Sequence, residues 1–157
     1  MAGDRGGIRG GIRVAPLAPR DLDAARELLA GERPRELLER AIGGTRECLA
    51  LAVTRDEALV GVALYGEVAG TARTGAVLWV AVAPGARGAG AGRALVESAV
   101  AHLHASRARL VVAELADDAA HAPMLALLRG AGFDPEGAVA DFYRDGVALT
   151  LWVRRLE

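Results

Sequence analysis

The residues whose types and spacing point most directly to chemistry are small and glycine-rich, and they lie between Val80 and Arg93. An apolar run ends at Pro84, and few bulky side chains follow until a helical pattern begins near Gly92. Small residues let several backbone N–H groups approach one ligand, and a helix N-terminus adds about half a positive charge. Arg87 and Arg93 can neutralise phosphate oxygens directly. The segment therefore predicts a pyrophosphate site.

The spacing of the glycines excludes a dinucleotide-binding fingerprint. That motif, G-x-G-x-x-G, opens the first βα unit of its fold. Counted from Gly88, the third glycine position is Arg93, and counted from Gly90 it is Leu95. The segment also follows the fourth predicted strand rather than the first. Two alternatives stay open: an Ala/Gly-rich connector without a ligand, and a different phosphate-binding fold that uses the same segment.

The elements that must position this segment follow from hydrophobic periodicity and turn residues. Helices are predicted from Pro19, from Pro34, after Gly92 and from Pro123. Hairpins make most strands antiparallel, whereas the helix between the fourth and fifth strands makes those two parallel. Strands are predicted at Ile12–Pro16, Cys48–Val53, Leu59–Tyr65, Ala76–Val82, Leu110–Leu115, Val139–Tyr143 and Val147–Val153.

Composition excludes several classes of function. The net charge is −1, so no basic face for nucleic acid is expected. All 19 cations are Arg, which removes the lysine of a Walker-type loop and of Schiff-base chemistry. Three His and one Cys are too scattered for a structural zinc site, and no metal is expected. The longest apolar run, about Ala76–Ala83, is too short for a membrane span, and we expect a cytoplasmic protein.

The domain organisation expected from length and composition is simple. The 157 residues suffice for one domain with a sizeable core. Residues 1–11 are charged and glycine-rich without an apolar region, which predicts a disordered tail rather than a secretory signal. Residues 12–157 are expected to form the single domain.

One motif in the glycine segment resembles that of a known superfamily. Arg87-x-x-Gly90-x-Gly92 matches the R/Q-x-x-G-x-G/A signature of the GNAT superfamily of acyl-CoA-dependent N-acyltransferases. It follows a V-x-P strand end, formed here by Val82 and Pro84, as that superfamily has it. The position of the motif in the order of elements also matches.

The resemblance covers most of the chain, from about Ile12 to Leu156, and includes Gly132-Phe133 after the last helix. It implies an α+β fold in three layers: a GNAT-like mixed, mostly antiparallel seven-stranded sheet with a central parallel pair and helices on both faces. It also implies an N-acetyltransferase that moves an acetyl group from acetyl-CoA to a primary amine by direct attack. The acceptor would be a small molecule or a peptide N-terminus.

The alternative to an enzyme is a catalytically weak acyl-CoA-binding module or sensor with the same fold. Dimers are common in the superfamily, and an edge strand could support a homodimer.

The resemblance also implies where the co-substrate is held. Val80, Ala81 and Val82 would bind the pantetheine arm by strand-like backbone hydrogen bonds, and an N–H near Val82 would polarise the thioester carbonyl. His121, where the superfamily usually has Asn at a helix start, would contact the pantetheine or the leaving group. The pyrophosphate would be held by Arg87, Gly88, Ala89, Gly90, Ala91, Gly92 and Arg93.

The resemblance implies Glu114 as the base, because several members carry a Glu near the end of the fifth strand. Burial in an apolar strand would raise its pKa, which suits a base; otherwise it reaches solvent or pairs with an Arg. The acid departs from the superfamily pattern, since Leu128 stands where many members have Tyr. Tyr143 at the closing hairpin is the candidate acid; otherwise it packs at a strand end, or the thiolate leaves with help from solvent.

Overall fold

Every predicted strand is present, and one further strand precedes them. The computed structural model describes residues 8–9 and 11–156. Within that part the helices are α1 (Leu22–Leu28), α2 (Glu32–Ile42), α3 (Ala91–Ala105) and α4 (Ala122–Gly130). The strands are β1 (Ile8–Arg9), β2 (Ile12–Pro16), β3 (Leu49–Arg55), β4 (Ala58–Glu67), β5 (Thr74–Val82), β6 (Leu110–Ala116), β7 (Asp134–Arg144) and β8 (Val147–Arg155).

The strands form one mixed sheet in the order β1-β2-β3-β4-β5-β6-β8-β7. The β5–β6 pair is parallel, and the other neighbouring strands are antiparallel. The predicted fold class, a mostly antiparallel sheet with a central parallel pair, is therefore confirmed.

The short strand β1 precedes the first predicted strand and pairs with it. Ile8 pairs with Arg13, and Arg9 pairs with Ile12. The chain can reverse here because Gly11 adopts a φ of +80°, which favours glycine. Residues 1–7 and 10 of the predicted disordered tail lie outside the described residues.

Helices cover the two faces of the sheet unequally. On one face, α3 packs against β2 to β5 and touches α4, and on the other face α1 and α2 pack on β3 and β4. The first hydrophobic cluster lies under α3 and α4 and includes Leu95, Val96, Leu128, Phe133 and Trp152. The second lies under α1 and α2 and includes Ala25, Leu29, Leu37, Leu38, Val62 and Leu64.

The parallel strands β5 and β6 are joined at one end and part at the other. Their pairs run from Thr74 opposite Leu110 to Ala76 opposite Val112, and within the described chain no later pair forms, although both strands continue. A bulge in β5 at Leu78 shifts its register against β4. Bulges bend a strand, so this one can carry the end of β5 away from β6.

Candidate active site

The end of β5 turns backbone polar groups into the gap beside it. The Ala83 N–H donates to the Val60 carbonyl at 2.8 Å, and Gly61 lies opposite Val82 in the sheet. In an antiparallel ladder this makes Gly61 and Val82 a non-hydrogen-bonded pair. The N–H and C=O of Val82 therefore point away from β4, toward β6.

The same ladder orients the other two predicted pantetheine contacts. Val80 lies opposite Ala63, two residues along, so its polar groups also face the gap. Ala81 lies opposite Val62 in the intervening hydrogen-bonded pair, so its polar groups are used by β4. The register leaves the N–H and C=O of Val80 and the N–H of Val82 available to a ligand, whereas the polar groups of Ala81 are used by β4.

The segment after β5 is anchored at both ends and exposed in between. Ala86 and Ala91 are buried in the first cluster, whereas the residues between them are exposed. Gly88 and Gly90 have φ values of +81° and +83°. The first amides of α3 have no partners within the helix, and across the described chain no acceptor is found for the amides from Gly88 to Gly90. Such free amides at a helix N-terminus are an arrangement that binds anions.

The two arginines that flank this segment are held differently. Arg87 is exposed, and its Nε donates to the Val82 carbonyl at 3.3 Å, so it lies beside the open end of β5. Arg93 donates from Nε to Glu97 Oε1 at 2.9 Å along the surface of α3. Arg87 has no carboxylate partner in the part of the chain that the structure describes, so its charge is the more available of the two.

The two predicted catalytic residues lie near each other, and one prediction about them is wrong. Glu114 is exposed rather than buried, because Ala113 and Leu115 face the first cluster and alternation turns Glu114 to the opposite face. Burial raises the pKa of the partly exposed Tyr143, the charge of Glu114 raises it further, and Arg33 lowers it. Tyr143 is therefore within electrostatic reach of Glu114 and is protonated at neutral pH.

His121 is held by a carboxylate that the sequence reasoning missed. Its Nδ1 and its backbone N–H both bond to Asp118 Oδ1, the N–H at 3.2 Å, and Arg144 Nη2 donates to Asp118 Oδ2 at 3.2 Å. The hydrogen bond from His121 lowers the pKa of Asp118, partial burial raises it, and the bond from Arg144 lowers it again. The sequence carries one signal for this contact, namely an acidic residue three positions before a histidine at a helix start. No comparable sequence signal marks Arg33 or Arg144, since only tertiary contacts bring these two residues here.

The position that carries Tyr in many GNAT proteins belongs to the core. Leu128 is fully buried in the first cluster. Its neighbour Leu127 lies so close to α3 that a Cβ on Gly92 would be 2.8 Å from the Leu127 side chain. Leu128 therefore packs and cannot donate a proton, and Gly92 lets α3 and α4 approach.

A cavity of about 550 Å³ lies at the other end of the sheet. It is lined by residues of β3, β4 and the C-terminal part of α3, including Tyr65 and His102. None of the predicted site residues lines this cavity. Within the described chain, no helix is long and apolar enough to cross a membrane. The same residues include no group of three or more His, Cys, Asp or Glu side chains placed to hold a metal ion.

Comparison with known families and sequences gives one family match. The model of the "Acetyltransferase (GNAT) family" matches residues 19–133. A search of curated protein sequences found no match.

Comparison with solved structures finds the same architecture repeatedly. A candidate GNAT-family acetyltransferase of Desulfovibrio desulfuricans is 25% identical, with 92% of this chain and 98% of that chain covered and a TM-score of 0.82. A candidate acetyltransferase of Salmonella typhimurium, solved with its cofactor acetyl-CoA, is 18% identical, with 94% and 95% covered and a TM-score of 0.75. The ribosomal-protein-S18-alanine N-acetyltransferase of Escherichia coli is 19% identical, with 93% and 94% covered and a TM-score of 0.75.

Proposed function

The chain belongs to the acetyltransferase (GNAT) family, and from this we propose that it transfers an acetyl group from acetyl-CoA to a primary amine by direct attack. The observation that carries the proposal is the parting of β5 and β6. At that point the polar groups of Val80 and Val82 face the gap, and free amides follow in the next segment. The acceptor is a small molecule or a peptide N-terminus.

The residues around the gap fit acetyl-CoA. The polar groups of Val80 and Val82 match the amides of a pantetheine arm laid along a strand edge. The exposed amides from Gly88 onward and the guanidinium of Arg87 match a pyrophosphate. His121, oriented by Asp118, would present Nε2 to the arm or the leaving group. The bound thioester supplies an activated acyl group, and the Salmonella neighbour was solved with this molecule.

We assign the catalytic roles to three groups. Glu114, directly or through a water, accepts the proton that the amine loses as its nitrogen bonds to the acyl carbon. The Val82 N–H donates to the carbonyl oxygen while negative charge develops there. Tyr143 gives its proton to the sulfur as the carbon–sulfur bond breaks, and it regains a proton from solvent. Because Tyr143 is protonated at neutral pH, it is in the form that an acid needs.

A second candidate function is an acyl-CoA-binding module without efficient chemistry. The buried Leu128 favours it, since a side chain that donates protons in many relatives is replaced by a core residue. Such a module would keep the free amides from Gly88 to Gly90 and the parted strands, but it would not catalyse acetyl transfer efficiently.

The test is incubation with acetyl-CoA and a broad panel of primary amines, read as release of free thiol, together with calorimetry of CoA binding. Thiol release with at least one amine supports the transferase. CoA binding without thiol release favours the binding module. Absence of both results overturns both functions, and tighter binding of a nucleotide that lacks pantetheine would favour a different phosphate ligand.

Two smaller expectations belong to the same proposal. We place the protein in the cytoplasm, where acetyl-CoA is available to it.

The edge strand β7 is exposed along its length and offers a surface for a homodimer. Sedimentation at micromolar concentration would separate monomer from dimer.

A further inference from the structure

One half of the sheet has an apolar face that the described helices leave open. Residues paired across neighbouring strands share a face, and Leu151 is paired with Glu114 on β6, while Leu149 is paired with Ala116 on β6 and with Val139 on β7. These residues face away from the first cluster. We call Val112, Glu114, Val139, Leu149 and Leu151 the open face.

The open face is apolar except for one carboxylate near the parted strands. Val139 is 53% exposed, Leu149 and Leu151 are partly exposed, and in the described chain none of them belongs to either hydrophobic cluster. Glu114 forms no ion pair with any described residue. Such a surface combines one free negative charge with apolar area on three strands.

Most charges at the borders of the open face are matched, except that Arg33, whose charge lowers the pKa of Tyr143, has no carboxylate partner among the described residues. Asp118 is bound by His121 and Arg144 beside Tyr143. At the far end, near the start of β6, Arg155 pairs with Glu136, and Asp134 lies on the same side of the sheet. Phe142 and Tyr143 stand at the near border with their rings edge to face at 5.0 Å.

We infer that the acceptor is a monoamine with an apolar body, an alkyl or aryl amine, which lies on the open face with its nitrogen at Glu114. This inference rests on the proposed function and deepens it. Charge complementarity selects a single ammonium group, because one unpaired carboxylate lies beside the parted strands. The ammonium loses one proton to solvent before its nitrogen attacks, and Glu114 accepts the second proton as the bond to the acyl carbon forms. The apolar body would cover Leu149, Leu151 and Val139, whose burial favours binding. Polyamines would leave further ammonium groups, and aminosugars would leave hydroxyl groups, against an apolar surface without partners.

The test measures kcat/KM for a series of linear primary amines from propylamine to octylamine, with 1,4-diaminobutane and an aminosugar as polar probes. We expect a rise of roughly threefold per methylene group, and the polar probes should fall below hexylamine. Val139→Ser should flatten the rise, and because Val139 is exposed on an edge strand this variant should fold. Ile42→Ser, another exposed apolar residue but on α2, is the matched control and should leave the rise unchanged.

Calorimetric binding of the same amines in the presence of CoA gives a readout that needs no turnover. Tighter binding of hexylamine than of propylamine, weakened by Val139→Ser but not by Ile42→Ser, supports the inference even if the chain proves to be a binding module. Equal binding of all chain lengths, or a preference for the diamine or aminosugar, overturns it. That result would leave the proposed acetyl transfer standing wherever thiol is still released.

Discussion

The two ends of the β5–β6 pair differ although the same strands form both. At the closed end three residue pairs join the strands, and α3 lies so close that a Cβ on Gly75 would be 2.8 Å from the Leu103 side chain. At the open end the pairing stops, and Val80 and Val82 present to the gap polar groups that no neighbouring strand uses. The closed end fixes the direction in which the strands leave each other, so a tightly packed region determines the shape of a loosely covered one.

The same contrast separates stability from chemistry. The first cluster contains fully buried side chains such as Leu95, Leu128 and Phe133. Glu114 and Tyr143, at the open end, are exposed. Substitutions at the open end should therefore change turnover with little effect on folding, and those in the core should do the opposite.

The largest effect on turnover is expected from Glu114→Gln. Removing a general base costs about 10²- to 10⁴-fold in kcat, while an exposed substitution changes stability by less than about 0.5 kcal/mol. Steady-state kinetics and thermal unfolding measure the two quantities. Glu36→Gln, an exposed carboxylate on α2, is the control and should retain full kcat. An unchanged kcat in Glu114→Gln would mean that the base lies elsewhere or that no base is needed.

The largest effect on stability is expected from Leu128→Ala. A fully buried leucine loses about 2–5 kcal/mol on truncation because a cavity remains. Denaturant unfolding would show this as a lower midpoint, and Leu49→Ala, at a 38% exposed position, should cost much less. Equal losses at both positions would contradict the division into a packed and an open region.

The two tyrosines of the chain test the contrast with one chemical change. Tyr143→Phe removes the proposed acid and should lower kcat about tenfold or more. Burial and the charge of Glu114 raise the pKa of Tyr143, so the wild-type rate should decline only as pH rises past 10, and the variant should lack that decline. Tyr65→Phe, at the closed end, removes a hydroxyl that bonds to His102 Nδ1 at 2.9 Å. It should cost about 1 kcal/mol of stability and leave kcat unchanged.

A smaller effect is expected from Gly90→Ala in the segment that leads into α3. An alanine at a φ of +83° costs about 1–2 kcal/mol, and relief of that strain would turn the neighbouring amides away from the ligand. CoA affinity measured by calorimetry should fall about tenfold, the factor that corresponds to 1.4 kcal/mol. Gly85→Ala is the matched control, because its Cβ meets nothing within 4 Å and its φ is not in the left-handed region. Equal affinity in both variants would remove the segment from the proposed site.

The sequence predicted the elements because their signals are local. Apolar runs marked each of the seven predicted strands, and the pair Asp145–Gly146 marked the β7–β8 turn, where Gly146 has a φ of +78°. The bulge at Leu78 gave no such signal, since β5 is apolar at almost every position and has no alternation to break. β7 begins at Asp134 rather than Val139 because pairing with β8 overrides the weak strand preference of the intervening proline and glycine.

The candidate site was predictable only in part for the same reason. The glycine segment could be located because it is continuous in sequence. The exposure of Glu114 depends on which face the helices cover, and the link between Asp118 and Arg144 joins residues 26 positions apart. Neither property is encoded in a short motif.

The smallest expected effect concerns the carboxylate that ties the open end to the β7–β8 hairpin. Because His121 and Arg144 hold the pKa of Asp118 below its ordinary value, Asp118 stabilises the fold at pH values above about 4, where it is also ionised in the unfolded chain. That contribution is lost as pH falls through the lower pKa of the folded state. The difference in Tm between wild type and Asp118→Asn should therefore be present at pH 6 and shrink toward pH 3. Asp23→Asn, at a 99% exposed side chain, should show a smaller difference at pH 6. If the difference in Tm between wild type and Asp118→Asn stays constant with pH, then packing, and not charge, joins this part of the open end to the hairpin.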